Sequence, residues 1–314
     1  MTRKLELQSL RADLAATDAL LSRTPTNDFA GRPGLESRRN ELQARLLEQQ
    51  SPEQEKLGSV ALFFGGGPVI GSRGIRAEFA GEVISNYQDL VSKIWASDDN
   101  SQMPNKGPVK DAAASQLHVT EIVHGSFGFL LEELDELGTP LFESPLRAAT
   151  EKATQLILAF ASEREEVFEE LLDRVPARVF SAVRDFLKPI HREDAVFRMV
   201  EGDTDVSFDE ASVERAYKRA EAYSFEEDIF DKDGELLGVI PIGRRFEFRQ
   251  GNGEVLRGNV GVLFGQSYLE RIGNEQLVGK RWKARINRRL KKSFGKQSEI
   301  LTLLELHPIQ DFAQ

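Results

Sequence analysis

The strongest constraint on the fold is a change of periodicity near residue 226. Before it, long segments carry apolar residues at helical spacing, with short strand-like runs between them. After it the pattern alternates or runs apolar in short blocks, at 235–240, 245–249, 255–260, 280–286 and 300–306. Gln250-Gly251-Asn252-Gly253 supplies the glycine-rich turn that a hairpin requires. Helices segregated from a run of five strands predict an α+β protein. We read three parts: a helical hairpin at 1–50, an α+β middle domain at 57–225, and a small SH3-like or OB-like β-barrel at 226–307.

The N-terminal part predicts helices at 2–23 and about 35–50, separated by the breakers Pro25, Gly31, Pro33 and Gly34. Leu7, Leu10, Leu14 and Leu21 share one stripe, and Leu35, Leu42 and Leu46 another, in a coiled-coil-like pattern. Helices this short are marginal alone, so the hairpin packs on the rest of the chain or on another copy. Leu7, Leu10, Leu14, Leu21, Leu35 and Leu42 are therefore the candidate oligomerisation residues. In the middle part, strands are expected at 60–64, 117–124, 127–131 and 195–200. Helices are expected at 77–95, 150–162, 164–174, 177–186 and 209–222, and 68–70 is expected to pair back on 60–64.

Composition removes several chemistries. Among 314 residues there is no cysteine, which excludes disulfides, thiolate nucleophiles and Cys-type metal centres, and fits a reducing compartment. The longest uncharged stretch, 57–72, is too short to span a bilayer and is broken by glycines and Pro68. No export signal is read at the N-terminus, so the expectation is a cytoplasmic protein without a membrane partner. The net charge of −10 opposes general adhesion to nucleic acid.

Each candidate site has a plain structural alternative. The run from Gly65 to Gly74 follows a strand and precedes a helix, as phosphate loops do, but lacks the Lys-Ser/Thr that a Walker loop needs. A tight turn is the simpler reading, with Arg73 and Arg76 as weak phosphate contacts. His118 and His124 are an even number apart on one strand, yet no third ligand accompanies them, so no metal is expected. Asp203 and Asp205 resemble the opening of a calcium loop, but Phe208 stands where that loop requires glycine. Acids cluster at 132–136 and at 163–173, the latter at helical spacing that reads as a solvated helix face, and no catalytic residue or cofactor is indicated.

The strongest compositional signal is residues 280–296. They hold nine cations and no acid: Lys280, Arg281, Lys283, Arg285, Arg288, Arg289, Lys291, Lys292 and Lys296. On a small barrel this segment could track a phosphate backbone of DNA or RNA, with Trp282 or Phe294 stacking on bases. Alternatively Trp282, Ala284 and Ile286 face the barrel core, and the cations meet solvent, a protein partner or the acidic segment 163–173.

The runs Phe64-Gly65-Gly66-Gly67-Pro68-Val69-Ile70-Gly71-Ser72-Arg73-Gly74-Ile75 and His124-Gly125-Ser126-Phe127-Gly128-Phe129 resemble an uncharacterised bacterial family. So does the block from Gly234 to Gly238 with Arg245-Phe246-Glu247-Phe248 and Gly258-Asn259-Val260. The resemblance covers about 57–306 and leaves the N-terminal hairpin as an addition. It implies a bacterial origin and a setting near mobile-element or phage-defence genes, and it carries no activity. The expectation is a non-enzymatic binding or scaffold protein that self-associates and touches nucleic acid through its barrel. A protein-interaction subunit of a larger bacterial complex is the alternative, and a carboxylate enzyme is third.

Overall fold

In the computed structural model the described residues are 3–25, 28–29, 31–50, 56–98, 112–123, 127–134, 142–172, 175–240, 245–261, 264–265, 268, 271, 276–293 and 296–309. The protein is α+β, and the chain divides into two compact units. The first unit takes residues 1–99, 108–175 and 182–218; the second takes 100–107, 176–181 and 219–314. The hairpin thus belongs to the same unit as the middle sheet.

Five antiparallel strands make that sheet: β1 (Ser59–Gly66), β4 (His118–Val123), β5 (Phe127–Glu132), β6 (Ala195–Glu201) and β7 (Thr204–Phe208), in the order β4-β5-β1-β6-β7. Leu62 lies between Phe129 and Met199, and Phe64 between Phe127 and Phe197. Side chains alternate across a strand, so the uninterrupted apolar run Val60–Phe64 requires cover on both faces. One face has helices: Phe64 meets Phe79 of α3 (Ala77–Asp98), ring centroids 5.5 Å apart, and Phe197 meets Phe186 of α6 (Ala177–Arg192) at 5.7 Å. On the other face Ala61, Phe63, Leu130 and Val200 bury against Leu5 of α1 (Arg3–Arg23).

α1 and α2 (Arg32–Gln50) form the expected hairpin. Its base is latched by Lys4, whose Nζ donates to the Asp203 carbonyl at 3.0 Å and lies 3.8 Å from the Asp205 carboxylate. Asp205 in turn grips the Arg198 fork at 2.7 and 2.8 Å.

Two expectations are corrected here. Residues Val69–Ile70 (β2) pair with Gly74–Ile75 (β3), not with β1. The helix expected at 177–186 runs on to Arg192, with Pro189 inside it. Proline cannot donate to the carbonyl four residues back. Asn86 Nδ2 takes that place, donating to the Asp185 carbonyl at 2.7 Å. The remaining helices are α4 (Pro145–Ala161), capped by Ser144, α5 (Glu165–Leu172), and α7 (Glu210–Ala222), capped by Asp209.

The second unit is a closed five-stranded barrel. Its strands are β8 (Tyr223–Ile240), β9 (Arg245–Gln250), β10 (Val255–Val260), β11 (Arg281–Ser293) and β12 (Lys296–Pro308), in the order β10-β12-β11-β8-β9. All pairings are antiparallel except the closing one, β10 with β12, where Asn259 and Val260 lie against Thr302 and Leu303. Phe264 and Tyr268, between β10 and β11, pack in the barrel core with Leu236, Phe248, Ile286 and Leu303. This strand order, with its one parallel pairing between the third and fifth strands, is the OB-type arrangement. Of the two barrel types considered, the topology therefore selects the OB-like one.

Candidate functional site

β11 places the basic segment at the centre of a three-stranded ribbon, and the neighbour on one side is acidic. Along β8, Glu235, Asp233, Asp231, Asp228 and Glu227 lie directly opposite Arg281, Lys283, Arg285, Arg288 and Arg289. Arg288 is 3.3 Å from Asp228 and 4.0 Å from Glu299, Arg285 is 3.9 Å from Glu305, and Lys292 pairs with Glu226. Lys292 holds the Glu226 carboxyl below its usual range. Opposite charges facing each other across strands stabilise the ladder. The counter-charge thus comes from the adjacent strand.

The nine cations do not form one surface. Lys280, Arg281 and Lys283 are exposed, while Lys291 lies over the Tyr223 ring at 5.2 Å. The side chain of Lys296 lies outside the described residues. Arg289 is corrected: it is buried, 4.1 Å from the Phe225 ring centroid and 3.6 Å from Glu227. Glu227 also accepts from the Ala177 amide at the start of α6 at 3.3 Å, so Arg289 serves the fold. Trp282 is corrected as well. It is buried in the barrel, and its indole N–H donates to the Leu277 carbonyl at 2.8 Å, which removes it as a stacking platform. Phe294 lies outside the described residues.

A cleft of about 430 Å³ opens on a different part of the barrel. It is bordered by Ile240 at the end of β8, Arg245 and Glu247 of β9, Arg257 and Asn259 of β10, and Glu299 of β12, with Phe246 and Leu301 beneath. Gly258 forms part of its floor. A Cβ there would lie 2.1 Å from the Leu301 carbonyl, so only glycine lets β10 approach β12 closely enough. Arg257 Nε donates to Glu247 at 2.9 Å. Arg245 is exposed, and among the described residues no carboxylate pairs with it. Alternation within the hairpin is the signal that could have found this face. Phe246 and Phe248 read inward, which leaves Arg245 and Glu247 outward, opposite Asn259 and Arg257.

The glycine run builds a backbone contact. Gly67 N donates to the Asp194 carbonyl at 3.3 Å. A Cβ on Gly66 would stand 2.4 Å from the Asp194 carbonyl oxygen, and one on Gly67 would stand 2.4 Å from that of Glu193. Arg76 pairs with Glu193, which also meets Arg192, and the two cations hold its carboxyl below the usual range. Arg73 is exposed.

The other candidates resolve into structure. Asp205 anchors Arg198 and Lys4, and Glu133 accepts from Gly58 N at 2.8 Å and from the Ser144 hydroxyl. His118 is exposed, and His124 lies outside the described residues. His191 bonds the Glu214 carboxylate and stacks on Tyr217 at 4.2 Å, while His307 meets Glu305 at 2.8 Å. Among the described residues no three metal-ligating side chains converge, and no helix is long and apolar enough to cross a membrane.

Of the leucine stripe, Leu10, Leu21 and Leu42 are buried, and Leu7, Leu14 and Leu35 are half-buried. Leu5, which the stripe does not include, is the residue that joins the sheet cluster. No family model, curated protein or solved structure matches the chain.

Proposed function

We propose that this is a non-enzymatic binding protein whose working surface is the β9–β10 face of the barrel, and that its ligand is a single-stranded nucleic acid. The observation that carries the reading is the cleft on that face, with Arg245 and Arg257 on its rim and Asn259 beside them. OB-type barrels bind extended oligonucleotides across their second and third strands, here β9 and β10, by analogy of fold alone. The cleft supplies Arg245 for phosphates, with Arg257 beside it in a pair with Glu247, an amide side chain for base edges, and Ile240, 60% exposed, as an apolar surface. The basic strand β11 contributes at its exposed start, Lys280, Arg281 and Lys283, rather than along its length.

Fluorescence anisotropy tests this with a labelled oligothymidylate of about 20 nucleotides, longer than the ~4–16 that one such barrel covers. At about 50 mM salt the wild-type protein binds, and the affinity falls steeply as salt rises. Arg245→Ser with Arg257→Ser weakens binding and flattens the salt slope by about 0.7 for each phosphate that is no longer neutralised. Absence of binding at low salt to both the labelled oligothymidylate and a labelled oligouridylate contradicts the reading. The second reading, a protein-interaction subunit, is favoured by the charge matching of β11 to β8, which leaves little of the basic segment for a polyanion.

A further inference from the structure

Ten large apolar side chains stand exposed among the described residues, and two of them lie on β4, a border strand of the five-stranded sheet. Val119 and Ile122 are each 48% exposed. β4 is also an open border strand: β5 is its sole ladder partner among the described residues. An open strand edge beside exposed apolar residues invites another strand.

The other border of the sheet is guarded. On β7, Asp205 is ion-paired with Arg198 and Lys4, and Lys4 also occupies the Asp203 carbonyl. The open edge of β8 in the barrel ribbon carries Glu226, Asp228, Asp231 and Asp233. Charges of this kind resist edge pairing. β4 carries a single acid, Glu121, which lies opposite Leu130.

A bulge between Val119 and Glu121 sets Thr120 out of the ladder. Val119 therefore pairs with Leu131 and Ile122 with Phe129, so both lie on the helix-covered face despite being three apart in sequence. We propose that β4 pairs antiparallel with β4 of a second copy of this chain, making one continuous sheet across a two-fold axis. The strand is self-complementary in the register that sets Val119 against Ile122 of the second copy. That register forms the apolar pair twice, sets Thr120 against Glu121, and brings no two acids face to face, whereas like charges directly opposite would oppose pairing. A two-fold contact of this sort uses the same patch on both copies, as isologous dimers require. It is independent of the barrel cleft, so either proposal can fail without the other.

Light scattering on the full chain tests it. The wild-type protein is expected at about 70 kDa, twice its 35.2 kDa, and Val119→Lys or Ile122→Lys is expected at 35.2 kDa with an unchanged far-ultraviolet spectrum. Because the chain has no cysteine, cross-linking fixes the register. Under oxidation Val119→Cys combined with Ile122→Cys gives a covalent dimer, whereas Val119→Cys alone does not, since its two copies would lie three residues apart. A monomeric wild type overturns the proposal. So does a dimer that survives Val119→Lys and Ile122→Lys, or one that is dissolved only by Leu20→Asp in the hairpin.

Discussion

Arg289 shows how little a residue's charge says about its task. It sits among eight other cations in sequence, yet it is buried with Glu227, their side chains 9% and 12% exposed. Removing one member of such a pair leaves the other charge without compensation, at a cost of about 3 kcal/mol. Arg289→Met is therefore expected to lower the barrel's chemical-denaturation stability by roughly that amount. Adding Glu227→Met should recover most of it, short by about 1 kcal/mol for the missing bond to the Ala177 amide. Asp205 makes a second residue-scale case. Its carboxyl sits below the usual range because Arg198 grips it, with Lys4 adding to the effect. A depressed carboxylate stabilises the fold fully above its unfolded value, about 4, and loses that contribution as acid titrates the folded group. The protection factors of amides 7–10, taken against intrinsic exchange rates, should be high near neutral pH and fall as the pH drops below about 4. Asp205→Asn should show low protection there at every pH. Gly66 gives a third case. Gly66→Ala adds a Cβ at positive φ against a carbonyl and should cost more than about 2 kcal/mol. Gly71→Ala, at positive φ with nothing within 4 Å, should cost about 1 kcal/mol.

At the scale of elements, the β8–β11 pairing is a charge ladder, and its energetics can be read by reversal. Arg288→Asp sets an acid against Asp228 and near Glu299 and should cost about 1 kcal/mol. Asp228→Arg added to it should restore most of the melting temperature, and high salt should shrink both effects. If neither change moves the melting temperature, the ladder contributes nothing. This element also shows where sequence reading stops. The apolar end of β8, from Glu235, was legible because Leu236 and Val239 sit between turn signals. Its first twelve residues were not, because Glu226, Glu227, Asp228, Asp231 and Asp233 look like a solvated loop. Strand character there depends on the cations of β11, which lie more than fifty residues away in sequence. The apolar run at 60–64 was legible for the converse reason, since its burial on both faces is local information. Pro189 misled because the donor that replaces its missing N–H, Asn86, comes from another helix.

For the whole molecule, helical and strand textures separate along the chain, and that made the α+β class readable. What composition hid was which face of the barrel is open. The density of cations points to β11, while the cleft lies across β9 and β10, where charges of both signs alternate with buried phenylalanines. The most direct measurement is hydrogen–deuterium exchange on the full chain, with and without a saturating oligothymidylate at low salt. Binding through the cleft predicts protection of residues 245–249 and 255–259, with the amides of 284–292 unchanged. Protection confined to 280–292, or none anywhere while the oligonucleotide is bound, would contradict it.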